Sequence, residues 1–569
     1  MPAPPAATIS VRATLDMLDG PKRELADGVA NDRYVFWLGS GISRERMPDL
    51  RDLAKRILIE LQARVVSADN ACRFRKALTA VVALTTPSDD EQSGIDFSLS
   101  PDQWPAFDIL AARLINNYAR MLNVTVDGEE ADYLLWDILN AASIYADATI
   151  EPDAEHLCLA ALAIEGAASE MPSANWDPLV ERAISLLAGA QPILRVAVAP
   201  SDVRSARRRA NLYKFHGCAL AALNNPGEFR KHLIARQSQI NGWVANNPVV
   251  APFLTHLIVT RPTLMLGLSA QDSNIQGLFA AAEAQLAWRW PSHPPAYAFS
   301  ENALGGDQES LLQNVYHLDY TPEHRPLMED EALVQAYAKP LLLALYLFVI
   351  TAKLKMLVTH KLPDLADADR EKLHRGLEHA RNHISEGLEP TAIAVSELLT
   401  LSGRAMTMLR DGTLPDASGG VYVPISPDAI DRMPADPTLA GSGVCEFAIA
   451  SGLIGLGLER GLWTAEKPDA ADATSGALLL SGRSGPARVY FAASQRAAIR
   501  LGTNGLIADN DDAVIIHSHE NPPAMPRSPR RPPGRTGLAT VREVSLEELL
   551  ASGSEVEDLL ERFRSKVAL

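Results

Sequence analysis

The sequence predicts an α/β protein built on a doubly wound parallel sheet, with a helical insertion near its start, then a helical layer and a small mixed α/β C-terminal domain. Three observations carry that prediction. Tyr34–Leu38 is a short apolar run without a turn residue that stops at Gly39, as a strand buried on both faces does. Between about residues 190 and 300, strand-like and helix-like stretches alternate, the pattern of strand–helix–strand units feeding a parallel sheet. From about Asp330 the chain turns to long helical patterns, and after a stretch rich in Gly, Pro and Asp it returns to short strands.

Taken in order, the first strand gives way to Gly39-Ser40-Gly41, where two glycines let the backbone turn sharply and approach a ligand closely. Leu50–Val66 has apolar residues at Leu50, Leu53, Ile57, Leu58 and Leu61, so a helix starts just past this loop and points its partly positive N-terminus back towards it. About 100 residues of helical periodicity follow, including Phe107–Leu122 and Asp132–Ala146. Ile193–Ala199 and Leu212–Phe215 read as strands, and the basic patch between them, Arg204, Arg207, Arg208 and Arg209, as a solvated loop. Helix Val250–Thr260, strand Thr263–Leu266, helix Asp272–Ala282 and strand Pro295–Ser300 continue the alternation. Helical patterns then occupy Val334–Leu357, Asp367–Leu388 and Thr391–Arg410. In the last part Ala487–Ala492 and Ala513–His517 read as strands, Ser494–Leu501 as a helix and Ser545–Ser565 as a polar helix pair, with Met525–Arg535 a basic, proline-rich linker. The expected division is a nucleotide-binding domain over 1–325 with its insertion at about 52–150, a helical region over 326–410, and an accessory or docking domain over 411–569.

A chain of 569 residues is too long for one core. Its 47% hydrophobic and 22% charged residues are those of an ordinary globular protein. A net charge of −17 argues against a broad, sequence-specific nucleic-acid footprint, which needs clustered Lys and Arg. The N-terminus lacks a basic stretch followed by an apolar core, and the longest apolar run, Pro340–Ala352, falls short of the roughly 20 residues of a membrane helix, so no membrane association and a cytoplasmic location are expected. Cys72, Cys158, Cys218 and Cys445 are too far apart to form a Cys-x-x-Cys half-site.

Gly39-Ser40-Gly41-Ile42-Ser43 followed by Pro48-Asp49-Leu50-Arg51 resembles the phosphate-loop signature of the sirtuin family, and the family's other motifs follow in order. Pro152-Asp153-Ala154-Glu155-His156 is similar to its Pro-Asn-x-x-His helix, Asn175-Trp176-Asp177 to its Asn-x-Asp motif, and Lys214-Phe215-His216-Gly217 to Lys-Leu-His-Gly. Gly267-Leu268-Ser269-Ala270-Gln271-Asp272 resembles the later strand end that holds the adenosine half of the cofactor. The resemblance covers about residues 30–320 and implies a Rossmann-like domain that takes NAD as its substrate. It also implies a cofactor site of Gly39, Ser40, Gly41, Ser43, Asp49, Arg51, Gly267, Ser269 and Asp272, and catalytic roles for Asn175, Asp177 and His216. Family deacylases carry a zinc module made of two Cys-x-x-Cys half-sites; this chain has none, so no zinc is expected, and the helical insertion stands in its place as a lid. The poorest match is Glu170–Ala174, where the family has an apolar strand ending in Thr and this chain has Met171-Pro172-Ser173-Ala174, with Ser173 a partial substitute.

The chemistry implied suits these residue types. The nicotinamide of NAD leaves as a neutral amine, so the enzyme mainly stabilises a cationic ribose and presents an acceptor. Asn175 offers a carboxamide that orients ribose or water without adding charge, Asp177 fixes that geometry, and His216, ordinarily titrating near 6.5, is the natural general base. Alone, an Asn-x-Asp is ordinarily a turn or helix cap, and a His before Gly at a strand end is ordinarily structural. His156 reads as a packing residue beneath the site. The leading expectation is an NAD glycohydrolase acting as the toxic effector of a bacterial anti-phage defence system; the alternatives are an NAD-dependent protein deacylase and a non-catalytic nucleotide-binding subunit. A homo-oligomer is expected, motivated by the apolar Pro340–Ala352 stretch. Partners implied by the resemblance are an ATPase/translocase or a short Argonaute.

Overall fold

The computed structural model describes residues 6–569 except 67, 70, 284, 286–289, 291–296, 417–419, 520–535, 539 and 552–554. The stretch Met525–Arg535, read above as a linker, lies outside the described residues.

Seven parallel strands form the first sheet in the order β3-β4-β2-β1-β5-β6-β7. They are β1 Val35–Leu38, β2 Glu170–Ser173, β3 Leu194–Ala197, β4 Ala210–Lys214, β5 Thr263–Leu266, β6 Tyr297–Ser300 and β7 Leu333–Val334. β1 lies near the middle with every residue buried, as its unbroken apolar run requires. The chain first builds outward on one side through β2, β3 and β4, then crosses to the other side of β1 at β5, so the reversal point of the winding falls at the carboxyl end of β1. β1 and β5 register residue for residue from Val35 opposite Thr263 to Leu38 opposite Leu266.

β2 is a full strand despite its sequence. Its four residues are all buried, and it pairs with β4 from Glu170 opposite Asn211 to Ser173 opposite Lys214. Towards β1 only Leu38 opposite Ser173 is in register. Ala174 N donates to Leu38 O at 3.0 Å, and two residues earlier the same edge is occupied by Pro172, which has no N–H to give. The proline is tolerated inside the sheet because it faces the side on which the ladder is cut short.

The insertion between β1 and β2 is helical and broken by asparagines. Phe107–Leu122 forms two helices, Phe107–Ile115 and Tyr118–Leu122, parted at Asn116–Asn117, and Asp132–Ala146 is interrupted at Asn140, whose φ of 51° is left-handed. The insertion has an apolar core of its own, in which Leu53, Ile57, Leu58, Leu61, Leu78 and Leu110 are each at most 3% exposed.

The helical pattern expected from Val334 is a two-residue edge strand paired to β6, followed by helix Ala338–Lys361. Pro340 sits in the helix's first turn, where the backbone N–H has no intrahelical partner anyway. At 24 residues the helix is longer than the apolar run within it, and it and Ala392–Asp411 are both long and apolar enough to cross a membrane by length and composition. Of the apolar window in Ala338–Lys361, 72% is buried inside this chain. Its first half packs on the core of the parallel sheet and Leu357 and Val358 on that of the C-terminal domain. Because the monomer covers this apolar surface, the stretch that motivated the homo-oligomer supplies no argument for one.

Beyond it, helices Ala392–Asp411 and Val444–Glu459 pack against a second sheet in the order β12-β11-β10-β9-β8, and helix Asp367–Ser385 packs on Val444–Glu459. These strands are β8 Trp463–Glu466, β9 Leu478–Gly482, β10 Gly485–Ala492, β11 Ala513–His517 and β12 Arg542–Ser545; β10, β11 and β12 run parallel, β8 and β9 antiparallel. The two halves of the molecule meet at a buried polar junction. Lys353, fully buried, donates to Glu165 Oε2 at 2.7 Å, to Glu165 O at 2.6 Å and to Ser426 O at 2.7 Å. Glu165, at the end of helix Ala154–Ile164, also accepts from Tyr422 Oη at 2.6 Å and Ile425 N at 3.0 Å. The basic loop is partly absorbed into the fold as well: Arg207 pairs with Glu170, and Arg209 donates to Ile164 O at 3.0 Å.

Candidate functional site

The sequence-predicted residues converge on the carboxyl ends of β1, β2, β4 and β5. Gly39 and Gly41 meet the loop after β5 backbone to backbone: Gly39 N donates to Leu266 O at 2.9 Å and Gly41 N to Gly267 O at 3.0 Å. A Cβ on Gly39 would lie 2.3 Å from Gly267 O, one on Gly41 2.5 Å from Gly267 Cα, and one on Gly267, whose φ is +61°, 2.6 Å from Ile42 N. The glycines are thus required by contact between two loops of the protein itself. The turn Ser40–Ser43 follows, with Ser40 exposed and Ser43 2% exposed.

Ser43 joins Asn175 to His156. Asp153 N donates to His156 Nδ1 at 3.1 Å, which puts the ring proton on Nε2, and Nε2 then donates to Ser43 Oγ at 3.1 Å. Burial holds His156 neutral, pushing its pKa down to about 4 against the pull of Asp177 and Asp153. Asn175 Nδ2 also donates to Ser43 Oγ, at 3.4 Å, and the Asn175 backbone N–H is held by Ser173 Oγ at 3.1 Å. Ser173 therefore does hold the turn after β2. Asn175 Oδ1 is buried with no hydrogen-bond partner, an acceptor left open at the strand end.

Asp177 turns to the backbone: its Oδ1 accepts from Leu179 N at 3.2 Å at the start of helix Leu179–Ala188. The Asn175–Asp177 turn is pinned from β4 by Lys214, 1% exposed, whose ammonium donates to Asp177 O, and to Glu181 Oε1 at 2.9 Å. Ser173 registers with Lys214, so Asn175 and His216 each follow two residues past the last registered pair of neighbouring strands.

His216 is 4% exposed, and burial lowers its pKa while the nearby Asp272 charge and Asn274 oppose the shift. Asn274 Nδ2 lies 2.7 Å from His216 Nε2, so as placed it donates to the neutral ring, whose proton is then on Nδ1. Asn274 Oδ1 has no partner. Rotating this amide by half a turn puts Oδ1 on an Nε2–H and leaves Nδ1 free to accept a proton. Asn274 is a residue the sequence reading missed; it sits in the first turn of helix Ser273–Glu283, and only the fold brings it to β4.

The remaining positions divide. Ser269 is exposed on the loop after β5, where Ala270 is left-handed at φ +59°. Asp272 accepts from Tyr118 Oη at 2.5 Å, a bond from the insertion. Asp49 caps helix Leu50–Gln62, accepting from Asp52 N at 2.9 Å, and Arg51 extends to Asp108 of the insertion at 3.6 Å. The structure therefore places Asp49 and Arg51 in the seam between helix and insertion. A second insertion residue, Tyr145, donates to Pro48 O at 3.0 Å and packs edge-on against Trp176, ring centres 5.3 Å apart, spanning the loops after β1 and β2. Among the described residues no cluster of three or more His, Cys, Asp or Glu is placed to hold a metal ion, and all four cysteines are buried and free.

Residues 170–321 match the family model described as SIR2-like domain, which spans β2 to β6 and includes Asn175, Asp177, His216, Gly267, Ser269 and Asp272. No curated protein matches the chain. A SIR2-like domain implies NAD binding and NAD-related catalysis, and the fold around it is Rossmann-like.

Proposed function

We propose that this chain, which carries a SIR2-like domain over residues 170–321, is an NAD glycohydrolase that splits NAD and water into nicotinamide, ADP-ribose and a proton. The observation that carries the reading is the placement, just past the ends of two neighbouring strands, of a buried amide whose oxygen has no partner, Asn175, and a buried neutral imidazole, His216. NAD fits this arrangement as a substrate. The open Asn175 Oδ1 supplies an acceptor for a ribose hydroxyl or a water while adding no full charge beside the cationic sugar. His156 and Ser43 hold the other end of that amide, so its oxygen keeps one direction. His216 takes the proton of the attacking water or of a ribose hydroxyl, and Asn274 stays hydrogen-bonded to the ring in either state.

The resemblance of the motifs to sirtuin-like defence effectors supports a role in depleting NAD during phage infection, with activity released by a partner such as an ATPase/translocase or a short Argonaute. The test is release of nicotinamide and ADP-ribose by the purified protein with no acylated peptide present, alone and with products of neighbouring genes. Asn175→Ala and His216→Ala should each abolish nearly all release, and the double variant should be little worse than either, because the two act as a unit. Turnover that appears only with an acyl-lysine peptide would replace this reading with the deacylase.

A further inference from the structure

Tyr118 and Asp272 are 154 residues apart in sequence, yet the phenol O–H sits 2.5 Å from the carboxylate Oδ1, a short charge-assisted hydrogen bond. The contact is partly buried, and burial and the Asp272 charge both push the Tyr118 pKa up, so the hydroxyl keeps its proton and donates it to the carboxylate. Asp272 lies six residues past the end of β5, on the side of the sheet where doubly wound folds take their ligands. Two residues on, Asn274 holds His216, and the Asp272 charge is felt at His216. Tyr118 therefore satisfies a carboxylate that faces the candidate site, and it comes from an insertion.

Tyr118 and Asp272 also border a cleft of about 310 Å³. Its wall includes Asn116, Asn117, Gln237, Gln271 and Asp307. Amides that both donate and accept, two carboxylates and the Ser273 hydroxyl suit a ligand rich in hydroxyl groups and offer little to an apolar one, and the exposed Arg120 adds one cation to the same wall. The segment bearing Tyr118 is joined to its neighbouring helix through the break at Asn116–Asn117, while Met121 and Leu122 stay anchored in the insertion core. Tyr118 itself packs, partly buried, against that core, so turning the phenol away frees Asp272 at the cost of one edge contact while Met121 and Leu122 remain in place.

We propose that Tyr118 is an internal stand-in for a sugar hydroxyl on Asp272, and that the cleft they border is the hydroxyl-binding subsite for a ribose of the substrate. The inference rests on the NAD reading of the site. A ligand hydroxyl that takes the position of the phenol on Asp272 Oδ1 must displace it, so its apparent affinity scales with the fraction of molecules in which the phenol is turned away.

The experiment measures binding of NAD and, separately, of ADP-ribose by calorimetry, alongside nicotinamide release, for the full-length wild type, Tyr118→Phe and Asp272→Asn. Tyr118→Phe keeps the ring and loses the donor, and should tighten both ligands by about tenfold. Asp272→Asn keeps the shape and loses the charge, and should weaken both by about tenfold or more. Weaker binding in Tyr118→Phe would make Tyr118 a ligand contact and overturn the proposal, as would unchanged affinity of Tyr118→Phe with an unchanged melting temperature. Should Asp272→Asn fail to fold, Tyr118→Phe alone decides. If both ligands respond as expected but no variant releases nicotinamide, the subsite stands and the glycohydrolase reading fails.

Discussion

Replacing Lys353 by Met tests whether the junction between the two halves is held as the structure indicates. The ammonium is wholly buried and its three acceptors, Glu165 Oε2, Glu165 O and Ser426 O, lie at 2.6–2.7 Å. Met fills the space of the lysine stem but leaves the buried Glu165 carboxylate with the Tyr422 hydroxyl and the Ile425 N–H as hydrogen-bond partners and the charges of Arg209 and Arg410 acting on it without a hydrogen bond. Removing one member of such a pair costs about 3–5 kcal/mol, because the other charge stays buried without its direct partner. Hydrogen exchange of the amides of helices Ala154–Ile164 and Ala338–Lys361 is the suitable assay, since a chain with several cores need not unfold in one step. The slowest amides should exchange faster by roughly two to nearly four powers of ten. Adding Glu165→Gln should recover about half of that loss or more, as Gln is neutral and its oxygen still accepts from Tyr422 and Ile425. A cost below about 1 kcal/mol for Lys353→Met, or a double variant as unstable as the sum of the singles, would refute the account.

Gly267→Ala should destabilise the fold by about 3 kcal/mol or more, because a Cβ there meets the Ile42 N at 2.6 Å on a left-handed backbone; thermal unfolding should show it, while Ser269→Ala, at an exposed position, should melt as wild type. Asn274→Ala should lower nicotinamide release by at least about tenfold and shift its pH profile, since the side chain orients His216, and should also cost about 1–3 kcal/mol of stability because it leaves the buried ring nitrogen without its partner. Glu155 is buried on helix Ala154–Ile164 with its pKa pushed up to about 8, so between pH 4.5 and about 8 the folded form holds a proton that the unfolded chain has lost, and its stabilisation disappears as pH rises; Glu155→Gln should be close to neutral at pH 5 and stabilising by at least about 2 kcal/mol at pH 8.5. His156 works in the opposite sense: with a folded pKa of about 4 against 6.5, the unfolded chain takes up the proton first as pH falls from 6.5, costing about 3 kcal/mol by pH 4, and His156→Gln should flatten that part of a denaturation–pH curve.

Local pattern was enough for the strands whose residues are uniformly apolar and for the helices with a clear stripe. β5 and β11 and helix Val250–Thr260 coincide with their expected limits, and β1 differs by one residue. Pro172 hid β2, because a proline inside a sheet is excluded unless the neighbouring ladder gives way. Helix Val444–Glu459 went unread because its three glycines look like turn residues; two of them let it cross helix Asp367–Ser385 backbone to backbone, where a Cβ on Gly455 would stand 1.9 Å from Gly376 O. In the site, motif order pointed to Asn175, His216 and Ser43, but no local signal ties Asn274 to His216 or Tyr118 to Asp272, contacts made across 58 and 154 residues. Lys214 was visible only as one letter of a motif, and its work, pinning the turn at Asn175–Asp177, depends on the strand next door.

Pro172 leaves the parallel sheet with a parting line. On one side stand β3, β4 and β2, on the other β1, β5, β6 and β7, and one registered pair, Leu38 with Ser173, stitches them at this boundary. The hydrogen bond from Asn175 to Ser43 runs from β2's side to β1's, and that between His216 and Asn274 from β4's side to β5's, so these two side-chain contacts of the candidate site bridge the line the backbone leaves weakly sewn. A molecule gripped by both banks would act as a clasp, resisting shear between the half-sheets and adding to their cohesion in proportion to the logarithm of its concentration above its dissociation constant.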